Sequence, residues 1–443
     1  MSSTQRFIGI RHRVKRTAEG EARPTMVAIK EGDQVKTFKL EDEQAELDFL
    51  LNRFPVAYRN YNPETDDLAD FYPHQVKWTK KKGPDGEIVK ENGKTVMVPH
   101  KVPSAYDGFK VGDTIAMILG GSGDRFAAAL SRRAEEISPA RVMRIPSFVF
   151  KGLRTGDDKD QDQVQLAELV QARSELFQLV GPRDRELICV KETLFARRDA
   201  QKARIGCEQR LRQRFIGQVF LEPGGRYPEG NIEDDYDRLK ANDVVLLALL
   251  KEEQNREKEL RSAVRALEVW DEIFEPLTGC GEVLAAGLIA PIGDIRRFGT
   301  KHQLKAFCGV HVQSDGRFPR KRSGSVANWN PRARQALYLL ADQFNRRPDS
   351  DWGLKLRDYK VKLREKHPEV EEVNGKKRYT DGHIHKMAIW RTLTKFVEWL
   401  WREWTRLENR HQAKISQLAE DQAEADQPAE TDQADGDEVK DAA

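Results

Sequence analysis

Long apolar runs are missing from this 443-residue sequence. The longest, Val244 to Leu250 and Val283 to Ile292, stop well short of the ~20 residues that a bilayer-crossing helix needs, so no membrane span is expected. Cysteine is scarce as well. Cys189, Cys207, Cys280 and Cys308 follow neither a Cys-x-x-Cys nor a Cys/His spacing, which argues against a disulfide framework and a structural zinc. The opening MSSTQRFIGIRHRVKR is basic but has no apolar core or small-residue cleavage site of a secretory signal, so a cytoplasmic location is expected.

Charge, by contrast, is plentiful. Charged residues make up 33% of the chain against 39% hydrophobic, with a mean hydropathy of −0.70, and the length asks for two or three domains. The net charge of +3 hides an asymmetry. The last 24 residues, from Glu420, carry ten acids against one lysine, which leaves the preceding 419 near +12. A basic body suits a polyanionic partner, because clustered Lys and Arg neutralise phosphates and release counterions. A merely solvated surface has the same count, so charge alone leaves both readings open.

Periodicity then divides the chain. Residues 1–160 read as an α/β domain: strands FIGIR, PTMVAI and QVKTFKL with a turn at Glu31-Gly32-Asp33, an amphipathic helix EDEQAELDFLLNRF, a hairpin insertion at about 75–103, strand TIAMILGG, helix GDRFAAALSRRAEEI and strand ARVMRIPSFVF. Three antiparallel strands followed by alternating helix and strand is the order of an RNase H-like domain, among other mixed folds. Residues 161–275 are charged and Leu-spaced, from VQLAELVQARSELFQLV to NDVVLLALLKEEQNREKELRSAVRALEVWDEIF. The break at Pro223 to Asn231 predicts an antiparallel helical hairpin, coiled-coil-like, that permits dimerisation without requiring it. Residues 276–412 read as an all-α, helix-hairpin-helix-like domain. Its tight turn at Gly279-Cys280-Gly281 is expected to bring backbone amides of Gly279 and Gly281 against phosphate. A loop follows with Arg317, Arg320, Lys321 and Arg322 among Phe318 and Trp329, a mixture of cations and rings that suits single-stranded nucleic acid or RNA. In the last helix Ile384, Ala388, Leu393, Phe396, Val397, Leu400, Trp404 and Leu407 form one apolar stripe, read as core. Residues 413–443 read as a disordered acidic tail, expected to compete with nucleic acid for the basic surface.

Several spaced motifs carry a resemblance. The run PLTGCGEVLAAGLIAPIGDIRRFGTKHQLKAFCGV, then QSDG and NPRARQALY, resembles the C-terminal domain of the bridge-RNA-guided insertion-sequence transposases, kin of the Piv DNA invertases. The family's GD-x-x-x-F signature is met by Gly293, Asp294 and Phe298; its QSG segment becomes Gln313-Ser314-Asp315-Gly316 and the Gly-Asn of its closing segment becomes Trp329-Asn330, while Arg334 is retained. The resemblance implies Ser314 as the position of the proposed nucleophile.

The N-terminal part is similar to the same family's RuvC-like domain, whose four carboxylates (DEDD) hold two divalent metals about 4 Å apart. Position by position, the first carboxylate falls on Arg11, the Glu on Gly120, and the closing pair on Lys159 and Asp162. Only Asp162 keeps its acid. A register slip recruits Asp158 or Asp160 but restores nothing at Arg11, where a cation repels dications. A dismantled site is therefore expected, with no metal and no Mg²⁺ at the RuvC-like position.

A protein with this architecture but without the cutting site looks like the Tas proteins of tandem interspaced guide RNA systems, which share a Nop-type RNA-binding domain. The expected function is to bind a structured guide RNA and engage target DNA, as a homodimer by what the resemblance implies, through Arg296, Arg297, Lys301, Arg317, Arg320, Lys321, Arg322, Arg332 and Arg334. Two alternatives remain at this stage. One is an active RNA-guided transposase or recombinase using Ser314 and displaced carboxylates; the other is a DNA-binding relic that needs no RNA.

Overall fold

The computed structural model describes residues 5–14, 22–156, 159–221, 223–224, 227, 230–314, 316–321, 324, 327–373 and 375–425. Asp157, Asp158, Asp315, Arg322 and the tail beyond residue 425 lie outside the described residues. The chain divides into two compact units, 1–267 with 282–299 and 268–281 with 300–443. No described helix is long and apolar enough to cross a membrane.

The first unit is mixed α/β. Strands β1 (Arg6–Arg11), β2 (Thr25–Glu31) and β3 (Gln34–Leu40) form the expected antiparallel meander. Helix α1 (Glu43–Leu50) follows, capped by the Asp42 carboxylate, which accepts from the Ala45 amide. An insertion then comprises β4 (Phe54–Asn60), β5 (Lys77–Lys80), β6 (Lys90–Glu91), β7 (Lys94–Thr95) and β8 (Met97–Asp107). It is larger than the hairpin read from sequence, because β4 joins it as a third strand in the order β4-β8-β5. The chain returns through β9 (Thr114–Leu119), α2 (Asp124–Glu136) and β10 (Arg141–Pro146). After β10, α3 (Ser147–Leu153), α4 (Asp162–Ala172) and β11 (Gln178–Leu179) close the domain.

The six-stranded sheet runs β11-β10-β9-β1-β2-β3, with β9 parallel to β1 and β10 parallel to β9. Alternation along the strands serves both faces. Ile8, Ile10, Ile115 and Met117 pack with Phe49 of α1 and Phe126 and Leu130 of α2, while Ala116 and Ile145 pack with Phe150 of α3 and Leu166 and Val170 of α4.

Two sequence expectations need correction here. The run SFVF continues β10 in the sequence reading but is the start of α3; a short apolar run fits a buried helix turn as well as a strand. The boundary at 160/161 also moves. VQLAELVQARSELFQLV is not one helix of a coiled coil: α4 ends at Ala172, a 3₁₀ turn occupies Ser174–Leu176, and β11 adds a strand to the sheet.

The helical hairpin begins only at α5 (Pro182–Leu221), with α6 (Ile232–Asn242) and α7 (Val244–Arg265) after the break. Its two long helices run antiparallel, since Arg197 pairs with Glu257 and Arg204 with Glu253. Only Leu187, Val190, Leu194 and Leu211 of the 40 residues in α5 are buried. The apolar α8 (Glu282–Ile292) packs against α5 and α7.

The second unit holds a π-turn at Trp270–Phe274 and four helices, α9 (Lys301–Cys308), α10 (Pro331–Arg346), α11 (Asp351–Lys366) and α12 (Asp381–Ala425). A small ribbon, β12 (Glu371–Val373) and β13 (Lys376–Arg378), precedes α12. All eight stripe residues of α12 are buried, and Phe344, Trp352 and Phe396 pack ring against ring. The helix continues to Ala425, so the segment read as tail from residue 413 is helical as far as it is described.

Candidate nucleic-acid interface

In the first unit, β1 and β9 are parallel, so their carboxyl ends lie on one edge of the sheet. Gly9 makes that edge tight. A Cβ there would lie 1.8 Å from the Gln163 carbonyl oxygen, so only glycine lets the first turn of α4 lie directly on β1. This contact brings the segment 159–162 to the end of β1. Arg11 Nη1 donates to Asp160 Oδ1 at 2.9 Å and to the Lys159 carbonyl at 3.4 Å. The Arg23 guanidinium stands 3.9 Å from the same Asp160 oxygen. Asp162, almost fully buried, receives two bonds of 2.8 Å from Arg154.

The neighbouring strand end follows the same pattern. Gly120 has φ +87°, and a Cβ there would meet the Arg297 guanidinium at 3.3 Å. Arg297 donates to the Ile292 carbonyl at 3.1 Å and lies over the Phe298 ring; burial pulls its pKa down. Asp124, the first residue of α2, pairs with Arg144 and with Lys191 at 2.8 Å. Burial alone raises a carboxyl, yet those two cations hold Asp124 below its ordinary value. Asp124, Asp160 and Asp162 thus each face a cationic side chain. Among the described residues, no group of three or more His, Cys, Asp or Glu side chains is placed to hold a metal ion.

A polar cluster that the sequence reading missed lies beside this edge. His12 Nδ1 is 3.0 Å from Ser122 Oγ and its Nε2 is 3.3 Å from Glu46 Oε1, while Thr25 donates to Glu46 at 2.7 Å. Ser122 spends its proton on the Arg13 carbonyl at 2.7 Å. His12 therefore donates to Ser122 instead of activating it, and the cluster ties the Gly120–Gly123 loop to β1. No spacing in the sequence announces it.

The remaining first-unit residues singled out from sequence are engaged. Arg296 bonds both oxygens of Asp294 at 2.9 Å and also pairs with Asp184. Asp294 accepts from the Arg296 amide and so caps the short turn Ile295–Arg297, which explains the Gly-Asp-x-x-x-Phe pattern: Gly293 takes φ +65° and Phe298 is buried. At the start of α8 the Glu282 carboxylate is held by Arg261 and Arg265.

In the second unit, Gly279 has φ +89° and lies against the Arg347 side chain, and the Cys280 amide bonds the Leu277 carbonyl. Burial pushes the Cys280 and Cys308 thiols up to about 12, so neither is a nucleophile near neutral pH. Ser314 is exposed in a turn closed by the Gln313 amide on the Arg317 carbonyl at 2.9 Å. Lys301, Arg317, Arg320, Lys321 and Arg332 are exposed. Arg334 is placed differently. Its guanidinium sits 4.7 Å from the Trp329 ring centroid and 4.6 Å from that of Trp390, and Nη1 donates to the Pro319 carbonyl at 2.8 Å. It pins the basic loop to α10 and α12. Asn330 caps α10 by accepting from the Arg332 and Ala333 amides, and Trp329 packs on Gly309, whose Cβ would meet the indole at 2.7 Å.

Residues 271–353 match the family model Transposase IS116/IS110/IS902 family. The matched segment contains the Gly279 turn, Gly293-Asp294, Ser314, Trp329-Asn330 and Arg334, and it supports a transposase-related function on DNA. No curated protein matches the chain.

Proposed function

We propose that this chain is a transposase-related protein that holds a structured guide RNA and engages target DNA without cutting it at its sheet edge. The observation that carries the reading is the Arg11–Asp160 pair. In the strand order β3-β2-β1-β9-β10, with the first three antiparallel and the rest parallel to β1, an RNase H or RuvC-like domain bears its metal-bridging acid at the end of β1. Here that position is a guanidinium. Two divalent ions about 4 Å apart need several uncommitted carboxylates; among the described residues this edge offers Asp124, Asp160 and Asp162, each already paired with a cationic side chain. The described donor set does not fit the ions.

Binding falls to the cations that face solvent. Arg317, Arg320 and Lys321 on the loop, with Lys301 and Arg332 at helix starts, supply phosphate contacts. Arg334, Trp329 and Trp390 hold the loop in place. Sequence choice would come from base pairing by the guide, with the protein reading backbone and shape. The Nop-like character of the second unit, the kinship with Tas proteins and a homodimer belong to this proposal too.

Sequencing the nucleic acid that co-purifies with the chain tests the reading. A discrete structured RNA species is expected. Recovery of random DNA alone would instead favour a binding protein that needs no guide. The exposed Ser314 within the matched segment keeps one rival specific: nicking of supercoiled DNA abolished by Ser314→Ala would make the chain a recombinase.

A further inference from the structure

The insertion between α1 and β9 is rich in lysine. Between Lys77 and Lys101 the sequence has seven lysines against Asp85, Glu87 and Glu91. Six of the seven are exposed and Lys101 is half-buried. Many cationic side chains of the helical hairpin, by contrast, are tied to acids, as Arg204 is to Glu253 and Arg197 to Glu257. Among the described residues none of these seven lysines forms an ion pair. Lys77 instead lies over the Tyr58 ring at 3.8 Å.

The register gathers three of these lysines, Lys77, Lys80 and Lys101, on one face. Trp78 pairs with Pro99 and Lys80 with Met97 across β5 and β8, while Lys77 pairs with Lys101 through a bulge. Because Met97, Pro99 and Lys101 alternate along β8, they share a face with Trp78 and Lys80. Trp78 and Met97 are each 47% exposed there. A large aromatic ring half in water, with ammonium groups around it, offers a face on which an unstacked base can lie.

The platform is firmly mounted. The buried Asp48 carboxylate of α1 accepts from Gln75 at 2.9 Å and Arg53 at 3.0 Å and lies 2.8 Å from His74. Burial opposes that charge, but these partners hold Asp48 below the usual carboxylate range. At the other end of the insertion a Cβ on Gly108 would lie 2.4 Å from the Phe49 carbonyl.

We propose that the β4-β8-β5 face is a second binding surface for single-stranded polynucleotide, on which Trp78 stacks a base and Lys77, Lys80 and Lys101 meet phosphates. Charge complementarity selects a polyanion, and the exposed ring selects unstacked bases, which a duplex does not offer. The inference rests on the reading that the chain handles nucleic acid, and it adds a site outside the matched segment 271–353.

The test uses the full chain with a fluorescein-labelled 20-mer of oligouridine and a 20-base-pair DNA duplex, in parallel. Trp78→Ala is expected to weaken single-strand binding by about 5- to 100-fold and leave duplex binding within about twofold, with Trp78→Phe restoring most of the loss. Trp78→Ala that binds the single strand as tightly as wild type overturns the proposal, as does an equal loss for strand and duplex, which indicates charge alone. If Trp78→Ala is silent while Arg320→Ala/Lys321→Ala weakens binding, only the second surface fails. A wild-type chain that binds neither probe overturns the nucleic-acid reading as a whole.

Discussion

Arg154 closes a two-bond fork on Asp162, with Nε and Nη2 each 2.8 Å from a separate carboxylate oxygen. Both side chains are largely shielded, at 15% and 4% exposed, so each neutralises a charge that water cannot reach. Removing one partner of such a pair leaves the other uncompensated, at roughly 3–5 kcal/mol. Arg154→Met should therefore lower the urea midpoint strongly. The double variant Arg154→Met/Asp162→Leu should recover most of the loss, because it removes both charges together. A double variant as unstable as the single one would deny that the pair is self-contained.

Gly9→Ala should cost more than its one added methyl group suggests. Its Cβ would lie 1.8 Å from Gln163 oxygen and 2.7 Å from Ala167 nitrogen, both backbone atoms of α4 that cannot swing aside. A loss of about 3 kcal/mol or more is expected. The variant should also be cut by protease within α4, where wild type resists.

In the second unit, Lys305 of α9 and Lys395 flank Glu398 of α12 at 2.8 and 2.9 Å. Burial acts to raise the Glu398 carboxyl, but the two ammonium groups win and hold it down at about 2. With an unfolded value of about 4.3, its contribution is fully present above that pH and is lost as pH falls from about 4 towards 2. Glu398→Gln should remove about 1 kcal/mol at pH 7, since water screens the half-exposed Lys395 partner, and flatten this part of the acid-unfolding curve. An unaltered acid limb would show that Glu398 does not carry it.

Replacing Arg320 and Lys321 by alanine tests the loop separately. Both are exposed and should act as phosphate contacts, so RNA affinity should fall and the slope of log K against log salt should flatten by about 0.7 per lost contact. Arg334→Ala is expected to differ. It frees the loop from Trp329 and Trp390, lowering affinity with little change of slope.

Much of the first unit could be read from periodicity. The meander, β9 and α2 alternate or repeat cleanly enough that their pattern admits one structure. The stripe on α12 was equally legible, since eight apolar residues at helical spacing have one face to bury. The misreadings share a cause. SFVF is too short for periodicity to separate helix from strand, and the helix pattern before Leu179 ends at Ala172 for tertiary reasons: Phe177 turns into the core and β11 joins β10. At the site, the sequence showed which residues stand where carboxylates were expected but not what those residues pair with. Arg11 and Asp160 lie 149 residues apart in the chain, and Arg297 approaches Gly120 from beyond the helical hairpin. No local pattern encodes such pairings. The engagement of Arg296 and Arg334 was hidden for the same reason, since an arginine that grips phosphate and one stacked between two indoles look alike in a sequence.

The most direct measurement incubates the chain, its co-purified RNA and supercoiled DNA with Mg²⁺ or Mn²⁺, and compares wild type with Arg154→Met/Asp162→Leu, the double variant expected to stay folded. With arginines matched to Asp160 and Asp162, wild type should bind the DNA and leave it uncut, and the double variant should change nothing in the gel. Nicks made by wild type and abolished in the folded double variant would contradict the account.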